Sequence, residues 1–192
     1  MNESIFILKG NIVYSKSQTE FAICEHGYLV CRDGKVDGIY QTLPFRLGGN
    51  PIRDYGDCLI IPGLVDLHIH APQYSYRGLG MDMELLEWLE VNTFPEEAKF
   101  EETDYAEKSY RIFVENLKNS ATTRACIFAT VHRPATLLLM DVLEKSGLDT
   151  YVGKVNMDRN CPDYICEETQ ESADETLEWI KDVNHRKYKN TK

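Results

Sequence analysis

From Ile5 to Ile61 the apolar positions fall in short runs: Ile5-Phe6-Ile7-Leu8, then Ile12-Val13-Tyr14 after a Lys9-Gly10-Asn11 break, then Gly27-Tyr28-Leu29-Val30-Cys31. Short runs rich in β-branched and aromatic residues predict strands. Arg32-Asp33-Gly34-Lys35 separates the last of them from a run at Val36 to Tyr40. An Asp-Gly pair between two such runs predicts a hairpin. The expectation is an antiparallel β module, interrupted by a Gly/Pro-rich loop from Pro44 to Pro51.

After Ile61-Pro62-Gly63 the rhythm becomes strand then helix. A strand is predicted over Leu64 to His70 and a helix over Asp82 to Leu89. A longer helix from Thr103 to Asn119 opens on Glu102-Thr103-Asp104 and carries Tyr105, Ile112, Phe113 and Leu117 on its apolar side. Next come a strand at Thr122 to Thr130, a helix at Pro134 to Lys145 stopped by Ser146-Gly147, and a strand at Thr150 to Asn156. A helix at Ser172 to Tyr188 follows, with Leu177, Ile180 and Val183 as its stripe. Three sequential βα units imply a parallel sheet with right-handed crossovers, doubly wound or barrel. No GxGxxG follows the first strand, so a dinucleotide fold loses its best support. The change of rhythm near Leu59 to Gly63 sets two expected domains, residues 1–61 and 62–192.

Composition narrows the partners. The formal charge of −10 works against nucleic acid, whose affinity rests on Lys and Arg neutralising phosphates. The N-terminus lacks the basic and apolar regions of a secretory signal, and no apolar run reaches the roughly 18 to 20 residues of a membrane span. A cytoplasmic protein with a small neutral substrate fits best. Cys24, Cys31, Cys58, Cys126, Cys161 and Cys166 form no CxxC pair, and they read as free thiols rather than a disulfide framework. The spacing of Cys161 and Cys166 is wrong for a zinc knuckle.

The candidate chemistry lies in Gly63-Leu64-Val65-Asp66-Leu67-His68-Ile69-His70. On a strand alternate side chains share a face, so Asp66, His68 and His70 point one way and Leu67 and Ile69 the other. Two imidazoles at the C-terminal end of a barrel strand suit a divalent metal whose other ligands come from other strands. The competing reading is a pair of structural histidines. Asp66 reads as a packing residue or as a carboxylate that orients the histidines.

Pro62-Gly63-Leu64-Val65-Asp66-Leu67-His68-Ile69-His70 resembles the PGxxDxHxH signature of the amidohydrolase superfamily, metal-dependent (β/α)8 barrels preceded by a small β-sandwich. His70-Ala71-Pro72-Gln73-Tyr74, Leu85-Leu86-Glu87-Trp88-Leu89, Thr93-Phe94-Pro95-Glu96, Phe128-Ala129-Thr130-Val131-His132 and Gly153-Lys154-Val155-Asn156-Met157-Asp158 narrow the resemblance to the guanine deaminases of that superfamily. The resemblance implies zinc, or iron in some relatives, with His68 and His70 as its first two ligands. It also implies guanine as substrate, hydrolysed to xanthine and ammonia. Gln73 would offer its amide to the purine edge, where a loop glutamine would otherwise be solvated. Trp88 would wall the pocket, although its spacing from Leu85 equally suits helix core. His132 is placed at the site mouth, Met157, Asp158 and Arg159 beside the pocket, and His185 on a solvated helix face.

The implied fold is an α/β, incomplete (β/α)8 TIM-type barrel of about three βα units, since a whole barrel needs roughly 250 residues. The remaining metal ligands, the proton-shuttling glutamate and the metal-bound aspartate of the family fall after later strands, outside these 192 residues. No catalytic carboxylate is therefore assigned, and the chain alone is expected to be inactive. Family members are commonly homodimers, so a dimer-forming surface is expected too. The alternatives are another amidohydrolase acting on a pterin, triazine or purine-like ring, and a non-catalytic interaction protein.

Overall fold

The break at Lys9-Gly10-Asn11 does not end a strand in the computed structural model, which describes residues 4–192: β1 spans Ile5–Ser15 without interruption, and the irregularity falls on its neighbour, where Glu25 and His26 together oppose Asn11. β2 (Phe21–Arg32) runs antiparallel to β1, and β3 (Lys35–Tyr40) antiparallel to β2. Their turn places Asp33 at φ 49° and Gly34 at φ 78°, the left-handed pair that a tight hairpin needs. β4 (Ile52–Ile60) pairs with β1 in parallel, giving the order β3-β2-β1-β4. The module is thus mixed rather than antiparallel. The reason lies in the 41–51 connection, which is more than an interruption: Leu47, on the 3-10 turn Phe45–Leu47, is buried with Ile7 and Val30. That apolar contact holds the connection over the sheet, so the chain can enter β4 in the direction of β3.

A compact unit ends at Pro62 and a second begins at Gly63; the first three residues of the 1–61 module lie outside the described residues. The second unit is α/β. β5 (Leu64–His70), β6 (Thr122–Phe128) and β7 (Asp149–Gly153) form a parallel sheet in chain order. Between them run α3 (Thr103–Lys118) and α4 (Arg133–Ser146), with α5 (Thr169–Arg186) after β7. Phe100, Tyr110, Phe113, Leu139, Met140 and Leu143 are fully buried, with Ala125 and Ile127 of β6.

Helix faces follow helical spacing but not every expected residue. On α3 the buried set is Ala106, Tyr110, Phe113, Val114 and Leu117, while Ile112, about 100° round the helix from Phe113, is exposed. On α5 the residues packed on the core are Trp179 and Val183, and Leu177 and Ile180 face outward. The helix expected over Asp82 to Leu89 starts later and runs further, as α1 (Leu85–Trp88), a π turn (Leu89–Thr93), α2 (Phe94–Ala98) and a 3-10 turn (Lys99–Glu101). Pro95 has no N–H for the Val91 carbonyl, and the wider π turn is how the helix passes it.

One further pairing lies outside the expected strands. Thr150 donates its N–H to the Asn190 carbonyl at 2.9 Å, and Val152 to that of Lys192 at 2.8 Å. Residues 190–192 therefore lie along β7 as the first step of a fourth parallel strand, bridged at Thr150 and Thr191. The Glu144 carboxylate fixes them by accepting the N–H groups of Lys189, Asn190 and Thr191 at 2.9 to 3.1 Å. Among the described residues no helix is long and apolar enough to cross a membrane.

Candidate metal centre

β5 enters the sheet through Gly63. A Cβ built there would meet the Thr123 side chain at 2.2 Å, and the Thr123 Cβ itself at 2.7 Å. Gly63→Ala is therefore expected to destabilise the unit by about 1–3 kcal/mol, the usual cost of overpacking. Urea unfolding would register the loss, and adding Thr123→Gly should recover much of it. Failure of that second substitution to restore stability would show that the close approach is not the cause.

Further along, Leu67 and His68 of β5 together oppose Cys126 of β6, a bulge that interrupts the two-residue alternation. Leu67 consequently does not share a face with Ile69: it is exposed, while Ile69 packs on the core. Asp66 is drawn into the same bulge, its Oδ1 accepting the His68 backbone N–H at 3.1 Å rather than touching an imidazole. Past the bulge the histidines converge. The Nε2 atoms of His68 and His70 lie 3.2 Å apart, and the Phe128 ring of β6 packs on both imidazoles with centroids 4.6 and 4.8 Å away.

Burial, and then the charge of His68, hold the His70 pKa below its ordinary value, which favours the neutral imidazole that binds metals. Two nitrogens on adjacent corners of a tetrahedral zinc site, with arms of about 2.0–2.1 Å, stand about 3.3 Å apart. The pair fits two ligands of one metal. Among the described residues no third His, Cys, Asp or Glu joins them.

Gln73 is half-buried on the 3-10 turn Pro72–Tyr76 that follows His70 directly. The turn is pinned from the next helical segment: Ser75 Oγ donates to Glu96 at 2.7 Å and the Tyr76 hydroxyl to Thr93 Oγ1 at 2.9 Å. Trp88 is half-buried; its indole N–H donates to the Leu79 carbonyl at 3.0 Å and its ring lies 5.6 Å from that of Tyr76. Both substrate candidates are thus tied to one turn, Gln73 as a member and Trp88 through Tyr76.

Two adjacent glutamates on α2 behave oppositely. Burial opposes ionisation of Glu96, yet hydrogen bonds from Lys99, Tyr105 and Ser75 outweigh it and hold its carboxyl below the ordinary range. Glu97 is 2% exposed, its Oε2 has no partner, and burial pushes its carboxyl up to about 7. Below the ordinary carboxyl value of 4.5 the group is neutral in folded and unfolded chains alike. Between there and about 7 the unfolded chain gives up the proton more readily. Stability should fall as pH rises across that window, by up to about 3 kcal/mol, and level off above it. Glu97→Gln is expected to flatten this slope in urea titrations at several pH values; an unchanged slope would place the titration elsewhere.

The other expected site residues separate. His132 stands before α4, with Nε2 buried and unpartnered and its pKa lowered chiefly by burial; it does not join the pair on β5. Hydrogen bonds from Arg159 and Thr169 bring the surface carboxyl of Asp158 down to about 2. His185 is exposed, its Nδ1 2.8 Å from the Lys181 carbonyl. Sequence reasoning missed Lys154. Its side chain is fully buried at the C-terminal end of β7, with Nζ 3.1 Å from Glu167 and 3.0 Å from the Val155 carbonyl. A lysine directly after the strand's last glycine was the available signal.

Residues 59–191 match the amidohydrolase family. Guanine deaminase of Pongo abelii is 46% identical over 134 residues, covering 69% of this chain and 29% of the relative, so the chain spans less than a third of that protein. The crystal structure of guanine deaminase from C. acetobutylicum with bound guanine in the active site superposes with a TM-score of 0.90 at 46% identity, over 98% of this chain and 45% of that one. Atrazine chlorohydrolase TrzN from Arthrobacter aurescens, complexed with zinc, shares the fold at a TM-score of 0.68 and 16% identity, over 92% of this chain and 42% of that one. With the family match running from the end of β4 to the strand begun at residues 190–192, this chain, a partial (β/α)8 barrel with paired histidines at the tip of its first barrel strand, belongs to the amidohydrolase family.

Proposed function

We propose that this chain supplies the first part of a guanine deaminase, which hydrolyses guanine to xanthine and ammonia. The observation that carries the reading is the 3.2 Å approach of the His68 and His70 Nε2 atoms at the end of β5. These two imidazoles would hold zinc, or iron, which when bound lowers the pKa of a water so that hydroxide is available near neutral pH. Phe128 packs against both rings and limits their rotation, so the two nitrogens stay convergent. Gln73, whose amide makes no hydrogen bond among the described residues, would give one donor and one acceptor to the purine edge. Trp88, with its indole N–H already committed to Leu79, would offer an aromatic face as a wall of the pocket.

The relatives named guanine deaminase, and the bound guanine of one of them, support this substrate over a pterin or triazine. The same reading makes the protein cytoplasmic and expects a dimer-forming surface on it; a net charge of −10 is in keeping with the absence of a nucleic-acid partner. Further metal ligands and the carboxylates that move protons must come from outside these residues. The purified chain by itself is therefore expected to bind zinc weakly and to give no measurable loss of guanine absorbance. Metal content by mass spectrometry and a guanine-to-xanthine assay on one sample test this together. Stoichiometric zinc with turnover would show that two histidines are not half of the site.

A further inference from the structure

The loop after β7 brings together two side chains that metal binding and deamination leave unused. The Sγ atoms of Cys161 and Cys166 are 2.8 Å apart, with the Cys161 thiol donating to the Cys166 sulfur. Both residues are half-buried, within reach of a small reagent. Their approach is built by backbone. The N–H groups of Ile165 and Cys166 both donate to the Pro162 carbonyl at 3.0 Å, folding the intervening residues into a turn. Asn160, at φ 55°, reverses the chain just before Cys161. The ends of the loop are fastened as well. Glu167 donates its N–H to the Met157 carbonyl at 2.7 Å, while its carboxylate accepts the buried Lys154 ammonium, the Met157 N–H and the Ser172 hydroxyl at 2.9 to 3.1 Å. Cysteine has one side-chain torsion, so a fixed backbone leaves the sulfurs few ways to part.

We propose that Cys161 and Cys166 are a modification site, a neighbouring dithiol that a peroxide oxidises reversibly to an intramolecular disulfide. The direction of the hydrogen bond sets the roles. Cys166, whose sulfur accepts, gives up its proton and attacks one oxygen of hydrogen peroxide. The O–O bond breaks, sulfur loses two electrons to the peroxide, one water leaves and Cys166 becomes a sulfenic acid. Cys161 then surrenders its proton and attacks the Cys166 sulfur, forming the S–S bond and releasing the sulfenic oxygen as a second water. One dithiol and one peroxide thus give one disulfide and two waters. Burial, and then the Cys166 sulfur, push the Cys161 thiol up to about 11, in keeping with a resolving rather than an attacking group. Cys161 also lines an open cavity of about 770 Å³ with Leu86, Leu89, Phe94, Asn160 and Pro162, so the bond would fix one wall of that cavity.

The test uses the whole reduced chain, treated with hydrogen peroxide and cut with trypsin, which leaves both cysteines in residues 160–181. The expected product is that peptide lighter by two hydrogens, restored by a phosphine reductant. In Cys161→Ser the sulfenic acid should persist on Cys166 and be captured by dimedone; in Cys166→Ser no sulfenic acid should appear on Cys161. Independently of oxidation, the reduced native chain should bind one phenylarsine oxide, which needs two adjacent thiols, and either serine variant should lose it. Peptide 160–181 gaining oxygen instead of losing hydrogen, a disulfide forming first among Cys24, Cys31, Cys58 and Cys126, or no arsenical uptake at this pair would each overturn the assignment.

Discussion

Where the remaining ligands and carboxylates of the proposed site are supplied from outside these residues, His70→Ala is expected to remove the metal so assembled and to lower the resulting guanine turnover by at least about a thousandfold. A bound metal contributes several kcal/mol of charge stabilisation to such a reaction, and each 1.36 kcal/mol is tenfold in rate. The effect should come through metal content, because His70 is only half-buried and its removal leaves the core of Phe113, Leu139 and Leu143 intact. Gln73→Ala is the contrast: metal should be retained while KM for guanine rises. Metal content and absorbance kinetics on the two variants separate the roles. Unaltered metal in His70→Ala would return the β5 pair to the reading of two structural histidines.

Phe113→Ala should cost about 3–5 kcal/mol, the range for emptying a fully buried aromatic position. With a urea dependence of about 1–3 kcal/mol per molar, the unfolding midpoint would move by roughly 2 M. The Phe113 ring also meets Tyr74 edge-on, with centroids 5.4 Å apart, so the cavity would open beneath the turn that carries Gln73. Ile112→Ala, one residue away on the exposed side of α3, should stay within about 0.5 kcal/mol. Equal losses in the two variants would mean that α3 is not seated on Phe113.

What could be read from the chain was local. The Asp33-Gly34 hairpin, the βα alternation after Gly63 and the span of α3 follow from neighbouring residues, and each of these elements appears near its expected bounds. The HxH pair was legible for a related reason, since residues two apart on a strand tend to converge. They do so here in spite of the bulge at Leu67 and His68, which moved Leu67 off the face of Ile69. Features set by distant partners were not legible. The parallel pairing of β1 with β4 depends on Leu47 meeting Ile7 and Val30, and the Lys154–Glu167 pair joins residues on either side of a loop. The buried face of α5 was misread in part: Val183 packs on the core as expected, but beside Trp179 rather than with Leu177 and Ile180, and only the core decides which neighbours share its face.

The order of the parallel sheet bears on how the protein is made. β5, β6, β7 and residues 190–192 lie side by side in the order in which a ribosome delivers them. Each new strand finds its template already present, and each intervening helix can cover it at once. Such a sheet can grow vectorially during translation, without waiting for distant sequence, at the unhurried pace of synthesis. β1 has no such advantage. Its pairing with β4 joins Leu8 to Arg53, so this edge stays unmatched on the nascent chain until the following two strands and the 41–51 connection have emerged. The β4-facing edge of β1 is thus the pairing of its module that is completed last, whereas β6 and β7 are each delivered beside a strand already made.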